Sequence, residues 1–227
     1  MTGKHYFKTL QRGVTLIELS VVLLILVALA GLAVPYVGGI GSAASCQTTD
    51  ATMHAVKEAI MGGAAGAGFY GDTLGRYPSP KSTPTKYSLA YLFEPGDWPA
   101  YNTKTGVGWR GPYLQNGGVL STESALNDSF TAYSTTTPNG KAHIDHNVTT
   151  LTQVFDAWHR PIILQVPTTC SISSNPLDCA RLVSAGGDAI INTPINDEDA
   201  DLRNDDRVLF LKIPDPKPGG NIPCDQS

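Results

Sequence analysis

Oxygen-bearing side chains crowd one short tract near the end of the sequence. The tract contains Asn196, Asp197, Glu198, Asp199, Asp201, Asp205 and Asp206. A cation relieves repulsion among carboxylates at this spacing, and oxygen ligands on a flexible loop suit Ca²⁺, which takes about six to eight of them. The spacing is not that of an EF-hand, because Leu202 occupies the glycine position and Val208 the position of the bidentate Glu. The tract therefore predicts either a calcium loop or a solvated acidic loop.

Other patterns that could carry chemistry are weaker. Residues 106–111 match G-x-G-x-x-G, but a dinucleotide site needs a helix to open at the third glycine, and Pro112 follows it directly. His143 and His146 are three residues apart on an unassigned segment, which is more typical of surface histidines than of a metal site. The sequence contains no G-x-S-x-G, H-E-x-x-H or P-loop pattern. We therefore expect a protein that is not an enzyme.

The four cysteines, Cys46, Cys170, Cys179 and Cys224, all follow the apolar segment near the start of the chain. An even number of cysteines in an oxidising compartment favours disulfides, and the sequence has no C-x-x-C pair to suggest zinc or redox chemistry. Cys170 and Cys179 enclose a short segment, and their pairing would leave Cys46 to pair with Cys224. Four cysteines allow three pairings, and the sequence does not choose among them.

The apolar segment spans residues 14–34, about 31 Å as a helix, which matches the hydrocarbon core of a membrane. Glu18 lies at its edge, where an unpaired carboxylate is costly. Lys4, Lys8 and Arg12 precede the segment without an acid, whereas the chain as a whole carries a net charge of −4. This charge placement is typical of the cytoplasmic side of a membrane anchor. The anionic body does not favour nucleic-acid binding.

Three kinds of segment fit this pattern: a plain signal anchor, a secretory signal peptide cleaved near Ala28–Ala30, and a prepilin leader. Glu18 inside the apolar region argues against the signal peptide. A basic leader, Gly13, the run Thr15–Glu18 and a long apolar helix closely resemble the class III signal of type IV pilins and pseudopilins.

The resemblance implies how the chain is processed and assembled. Prepilin peptidase would cut between Gly13 and Val14, and the new terminus would be N-methylated, although Val14 stands where the family usually has Phe. Glu18 would then pair with the Val14 amine of a neighbouring subunit, because an unpaired carboxylate among apolar helices is heavily penalised. Pro35 would mark a kink or a locally opened stretch of the helix.

Fragments of the remaining sequence resemble the head of the type II secretion major pseudopilin. Residues 75–78 (G-R-Y-P), 109–113 (W-R-G-P-Y) and 155–161 (F-D-A-W-H-R-P) occur in the family's order, with His159 at a glycine position. Residues 184–188 (S-A-G-G-D) resemble the segment that precedes the family's calcium loop. The calcium ligands implied by this resemblance are Asp188, Asn192, Asp205 and Asp206.

The organisation expected from the sequence is α+β, with a long N-terminal helix packed on a small antiparallel sheet. We assign residues 1–13 to the leader, 14–41 to the membrane or filament-core half of the helix, 42–61 to its amphipathic half and 62–227 to a globular head. The amphipathic half predicts a buried stripe at Cys46, Thr49, Met53, Val56 and Ile60. Strands are predicted at 162–166, 181–184 and 207–213, a short helix at 89–93, and the end of the long helix at Gly62, Gly63, Gly66 and Gly68.

The family resemblance implies a structural role. We expect a single-pass protein of the bacterial inner membrane, with its head in the periplasm before it joins a filament with copies of itself and other pilin-like subunits. Its further partners would be prepilin peptidase, an inner-membrane assembly platform and membrane lipid, with no nucleic acid. The head fragments favour a secretion pseudopilus, whereas the length of the chain favours a surface pilus for adhesion, motility or DNA uptake. An anchored binding protein or enzyme is the alternative of another class.

Overall fold

The computed structural model describes residues 15–64, 66–83, 87–119, 142–143, 152–195 and 203–215, and for 31–40 and 142–143 it describes the backbone alone. The chain divides into two compact units, Met1–Gly41 and Ser42–Ser227. The first unit is helical where it is described. The second is α+β and contains the sheet, which confirms the predicted fold class at this coarser level.

Helix α1 (Leu16–Met61) begins with a reciprocal capping box. The Glu18 Oε2 atom accepts hydrogen bonds from the Thr15 backbone N–H at 2.9 Å and from the Thr15 hydroxyl at 3.0 Å, and the Glu18 N–H donates to Thr15 Oγ1 at 3.4 Å. Such a box satisfies backbone donors that a helix start otherwise leaves unpaired. Glu18 therefore has a partner within its own chain.

In the first unit, the large apolar side chains between Leu16 and Leu29 remain between 51% and 88% exposed. Helix α1 is continuous past Pro35, so the opening that the resemblance implies there stays a prediction for the assembled state. Within the described part of the chain, no helix combines the length and apolarity that a membrane crossing requires.

The second half of α1 packs into the head through the predicted stripe. Each member of the stripe is at most 1% exposed: Cys46, Thr49, Met53, Val56 and Ile60. Polar contacts flank the stripe, because Arg207 donates to both carboxylate oxygens of Asp50 at 3.0 and 2.5 Å, and Lys57 Nζ donates to the Phe210 carbonyl at 2.7 Å. The prediction of an amphipathic helix with this buried face is confirmed.

Helix α1 ends where the glycines begin, as predicted. Gly62 follows the last helical residue with φ +92°, a left-handed conformation that favours glycine. The chain then folds back so closely that a Cβ on Gly68 would lie 2.6 Å from the Ile60 carbonyl oxygen and 2.7 Å from that of Ala59. Only glycine fits at that approach, and the chain turns from the helix into the head there.

The sheet has four antiparallel strands in chain order: β1 (Ala142–His143), β2 (Ile163–Gln165), β3 (Arg181–Ser184) and β4 (Arg207–Phe210). The predicted strands at 162–166 and 207–213 are shorter in the structure, whereas 181–184 is unchanged. Alternate side chains point to opposite faces. Leu164 and Leu182 join the core that contains the stripe of α1, while Ile163 and Val183 join a second core. Both faces of β2 and β3 are therefore buried.

Short elements complete the head. Helix α2 (Phe69–Asp72) follows the glycine turn, and 3₁₀ turns span Leu89–Leu92 and Pro176–Cys179. The predicted helix at 89–93 is therefore a single 3₁₀ turn. The second 3₁₀ turn ends at Cys179, which forms a disulfide with Cys170.

Candidate functional site

The loop between β3 and β4 carries most of the residues that the sequence marks for chemistry. Ser184 at the end of β3 pairs directly with Arg207 at the start of β4. Because these two positions are neighbours in the sheet, residues 185 and 206 leave it side by side. The sheet therefore fixes both ends of the loop, and the first and last residues of the loop meet there.

A turn at residues 156–160 supports the start of this loop. Asp156 Oδ1 accepts hydrogen bonds from the backbone N–H groups of Trp158 and Arg160, both at 2.9 Å, and Asp156 Oδ2 accepts one from the Ser184 hydroxyl at 2.7 Å. His159 has φ +63°, at the position where the related motif has glycine. Burial raises the pKa of Asp156, although these hydrogen bonds oppose the shift. Asp156 thus connects residues 155–161 with residues 184–188, two fragments that are separate in the sequence.

Gly186 carries the next contact. Its φ is +59°, and a Cβ there would lie 2.7 Å from Asp205 Oδ2. Its carbonyl accepts a hydrogen bond from the Arg160 guanidinium. Asp205 Oδ2 in turn accepts the Asp188 backbone N–H at 3.0 Å. A side chain at position 186 would displace Asp205, so glycine permits this close approach.

Asp206 is fully buried and joins the two halves of the loop. Its Oδ2 atom accepts hydrogen bonds from the Asn192 N–H at 2.8 Å, from the Thr193 N–H at 2.6 Å and from the Thr193 hydroxyl at 2.6 Å. Burial raises the pKa of Asp206 to about 7, against the effect of these bonds. The carboxylate therefore occupies an environment in which its negative charge is poorly compensated.

The fit to a cation rests on the other carboxylate oxygens. Asp205 Oδ1 and Asp206 Oδ1 are buried and have no hydrogen-bond donor among the described residues. Two buried carboxylate oxygens that lack a donor, on consecutive residues, suit a hard cation such as Ca²⁺. The side chains of the other two predicted ligands make local hydrogen bonds. Asp188 Oδ1 accepts the Ile190 N–H at 2.7 Å, and Asn192 Nδ2 donates to the Ile190 carbonyl at 3.2 Å.

Within the described ranges, no three His, Cys, Asp or Glu side chains lie close enough together to hold a metal ion. The four acids at 197–201 lie outside those ranges. The residues that fit a cation are thus Asp205 and Asp206, while Asp188 and Asn192 contribute backbone N–H groups that hold the two carboxylates.

A second polar centre forms around Asp72, which the sequence gave no reason to select. This buried carboxylate accepts hydrogen bonds from the Arg110 guanidinium at 2.7 Å and from the Tyr113 hydroxyl at 2.9 Å, and its backbone carbonyl accepts the Gly108 N–H at 2.9 Å. Trp109 Nε1 donates to the Tyr91 carbonyl at 2.9 Å. The W-R-G-P-Y segment is therefore fixed by Asp72, and the glycines before it belong to a turn.

The remaining residues that the sequence analysis singled out lie away from the β3–β4 loop. Gly13 and Val14, the predicted processing site, are outside the described residues, as is His146. His143 is described only as backbone in β1. Cys46 is disulfide-bonded, and its predicted partner, Cys224, is outside the described residues.

The Thr15–Glu18 box could have been found in the sequence, because T-x-x-E before an apolar run is a capping-box pattern. No protein-family model, curated protein or solved structure matches the chain.

Proposed function

We propose that this chain is a type IV pilin-like filament subunit, processed by prepilin peptidase, and that it serves as a pseudopilin of a type II secretion system. The exposed apolar surface between Leu16 and Leu29 is the observation that carries the proposal. Large contiguous apolar surfaces are rare on soluble monomers and mark interaction with lipid or protein. The membrane would bury this surface before assembly, and the helices of neighbouring subunits would bury it after assembly.

The start of the helix supports this sequence of states. Glu18 is paired with Thr15 in the single chain. Cleavage after Gly13 would place a new ammonium group on Val14, next to Thr15. In a filament, Glu18 exchanges its Thr15 hydrogen bonds for the ammonium of a neighbouring subunit. A wrong stagger would leave both charges unpaired among apolar side chains, so this exchange specifies the axial register.

The outward face of α1 in the head also favours packing between copies. Ala44, Thr48, Ala51 and Ala55 are small and exposed on that face. A groove of about 420 Å³ continues it, lined by alanines and glycines, by Glu58 and by residues 112–114. Small side chains let helices approach closely. The first half of α1 would provide the apolar contact between subunits. The face with small side chains would let neighbouring helices approach closely.

The calcium-binding part of the proposal rests on Asp205 and Asp206. When bound, Ca²⁺ would supply positive charge and oxygen coordination to their two buried Oδ1 atoms. Its effect would be to fix the β3–β4 loop, the region that in a filament meets the next subunit. The chain's own contribution is to hold the two carboxylates through the backbone N–H groups of Asp188, Asn192 and Thr193.

Mass spectrometry of the purified protein tests the processing step. We expect a mature chain that begins with N-methylated Val14. A chain that begins at Met1 would indicate a plain anchor, and one that begins near Gly31 would indicate a secretory signal peptide. Either result would end the filament interpretation.

Assembly is tested by Glu18→Ala in cells that carry the secretion system. We expect loss of filaments with normal processing and normal membrane insertion. Glu94→Ala is the matched control, because Glu94 is an exposed acid of the head that does not line the groove that continues the outward face of α1, and its removal is expected to leave filaments intact. Filaments of normal yield in Glu18→Ala would show that the carboxylate does not specify assembly.

A surface pilus is the second candidate function, and the length of the chain favours it. Immunogold labelling distinguishes the two roles, because a secretion pseudopilus at native expression stays within the periplasm and a pilus extends from the cell. Labelled extracellular fibres would favour the pilus.

A further inference from the structure

Two buried arginines share one aromatic ring beside the candidate cation site. The guanidinium carbons of Arg181 and Arg203 lie 5.5 and 5.6 Å from the centre of the Phe210 ring. Both arginines are fully buried. Burial of a guanidinium is costly unless it is paired and hydrogen-bonded, so these contacts hold both side chains in defined positions.

Arg203 holds the turn that carries the two carboxylates. Its guanidinium makes a two-pronged ion pair with Asp215, at 2.6 and 2.9 Å. Its backbone carbonyl accepts the Asp206 N–H at 3.0 Å, which closes the turn from 203 to 206. A bidentate pair fixes orientation as well as distance. Arg203 therefore anchors the first residue of the turn that contains Asp205 and Asp206.

Arg181 holds the opposite half of the loop. Its guanidinium donates to Gln165 Oε1 at 2.9 Å, to the Pro194 carbonyl and to the Ile195 carbonyl at 3.2 Å. These carbonyls directly follow Thr193, whose N–H and hydroxyl bind Asp206. Asp206 thus joins two segments, the turn at 203–206 and the segment at 193–195. Each segment is held by one of the two arginines that contact the Phe210 ring.

We propose that Arg181, Phe210 and Arg203 form a brace that positions the Asp205 and Asp206 carboxylates. The brace is defined by these three side chains together with Asp215. Its relevance to calcium rests on the proposed function above, but the positioning itself does not need the ion. Such a brace preorganises the two Oδ1 atoms, so that little conformational freedom is lost when a cation binds.

The test compares Asp215→Asn with Asp178→Asn in the full-length chain in detergent micelles. Both changes remove an acid paired with a cation on the head, but Asp178 pairs with Lys212 at 3.0 Å, at the end of the β3–β4 hairpin opposite to the loop. Hydrogen exchange at the Asn192 and Thr193 amides, measured with chelator present, reports the position of the Asp206 carboxylate. Calcium affinity is measured separately by titration calorimetry.

We expect Asp215→Asn to accelerate exchange at both amides and to weaken calcium binding by about tenfold, as loss of supporting contacts around metal ligands commonly does. Asp178→Asn is expected to change neither. A purely structural ion pair would lower the unfolding midpoint without selective change at these two amides. If folded Asp215→Asn exchanged the Asn192 and Thr193 amides at the wild-type rate, the proposed brace would be wrong.

The exchange measurement separates this inference from the calcium proposal. If the wild-type chain takes up no calcium while Asp215→Asn still accelerates exchange, the cation site is wrong and the brace stands. If Asp215→Asn does not fold, Arg203→Lys keeps the charge and removes the two-pronged geometry. The same pair of amides then decides the question, and unchanged exchange in Arg203→Lys would overturn the brace.

Discussion

The first half of α1 and the head invert the usual placement of apolar and charged residues. Between Leu16 and Leu29 the apolar side chains are exposed, whereas in the head Arg181, Arg203 and Asp206 are fully buried. The buried charges of the head make hydrogen bonds within it, although Asp206 Oδ1 has no donor among the described residues.

This contrast indicates that the head is stabilised by contacts within the chain. The head contains two apolar cores and an ion pair between Arg207 of β4 and Asp50 of α1. Its unfolding should be cooperative and independent of any environment that covers the first helix half. The changes described below test that separation, from the largest expected effect to the smallest.

Leucine truncation in the two regions gives the largest expected difference. Leu182→Ala opens a cavity at a fully buried position, and we expect the free energy of unfolding to fall by about 2–5 kcal/mol. Leu24→Ala removes a 72% exposed side chain and should leave the unfolding midpoint of the head unchanged. Near-UV circular dichroism during heating checks both. Equal shifts would mean that the two regions unfold as one body.

Asp72→Ala tests the buried polar part of the head. It removes the acceptor for Tyr113 and the ion-pair partner of Arg110. We expect a loss of about 1–3 kcal/mol, because the half-buried Tyr113 hydroxyl loses its acceptor and Arg110 loses its ion-pair partner. Asp97→Ala is the control, since Asp97 is exposed and its carboxylate accepts hydrogen bonds from the loop amides of Lys81 and Ser82. Denaturant titration of both variants should show the larger loss for Asp72→Ala.

Thr15→Val tests the start of α1 without touching the head. The change removes a capping hydroxyl, which commonly costs about 0.5–2 kcal/mol of local helix stability. We expect faster amide exchange in the first turn and an unchanged unfolding midpoint for the head. Thr48→Val is the control, because the Thr48 hydroxyl binds Ala44 O inside the helix at 2.8 Å. A lowered midpoint in Thr15→Val would contradict the separation.

The smallest expected effect is the change in the pH dependence of unfolding caused by Asp156→Asn, and its sign can be predicted. Burial raises the pKa of folded Asp156 above its ordinary value of 3.8, so the folded state keeps this proton to higher pH than the unfolded chain does. The contribution of Asp156 to the free energy of unfolding therefore decreases as the pH rises through that range. Melting of both proteins between about pH 4 and pH 7 should show wild type losing stability relative to Asp156→Asn. The opposite slope would show that the hydrogen bonds outweigh burial.

The sequence predicted the features that depend on periodicity. The stripe from Cys46 to Ile60 follows the helical repeat, and strand 181–184 contains Leu182 and Val183 shortly before a pair of glycines. The ligand set was harder to predict, because Asp188 contacts Asp205 through its backbone N–H while its own carboxylate accepts the Ile190 N–H in a local turn. Asp72 could not be selected at all. Its partners lie 38 and 41 residues further along the chain, and no local pattern reports such a contact.

The hydrogen bond from Lys57 to the Phe210 carbonyl closes an otherwise open position on the outer side of β4. Edge strands with free carbonyls recruit strands from other molecules, and this recruitment leads to misassembly when many copies are confined together. By placing an ammonium group from the long helix against that edge, the fold discourages strand pairing between heads there.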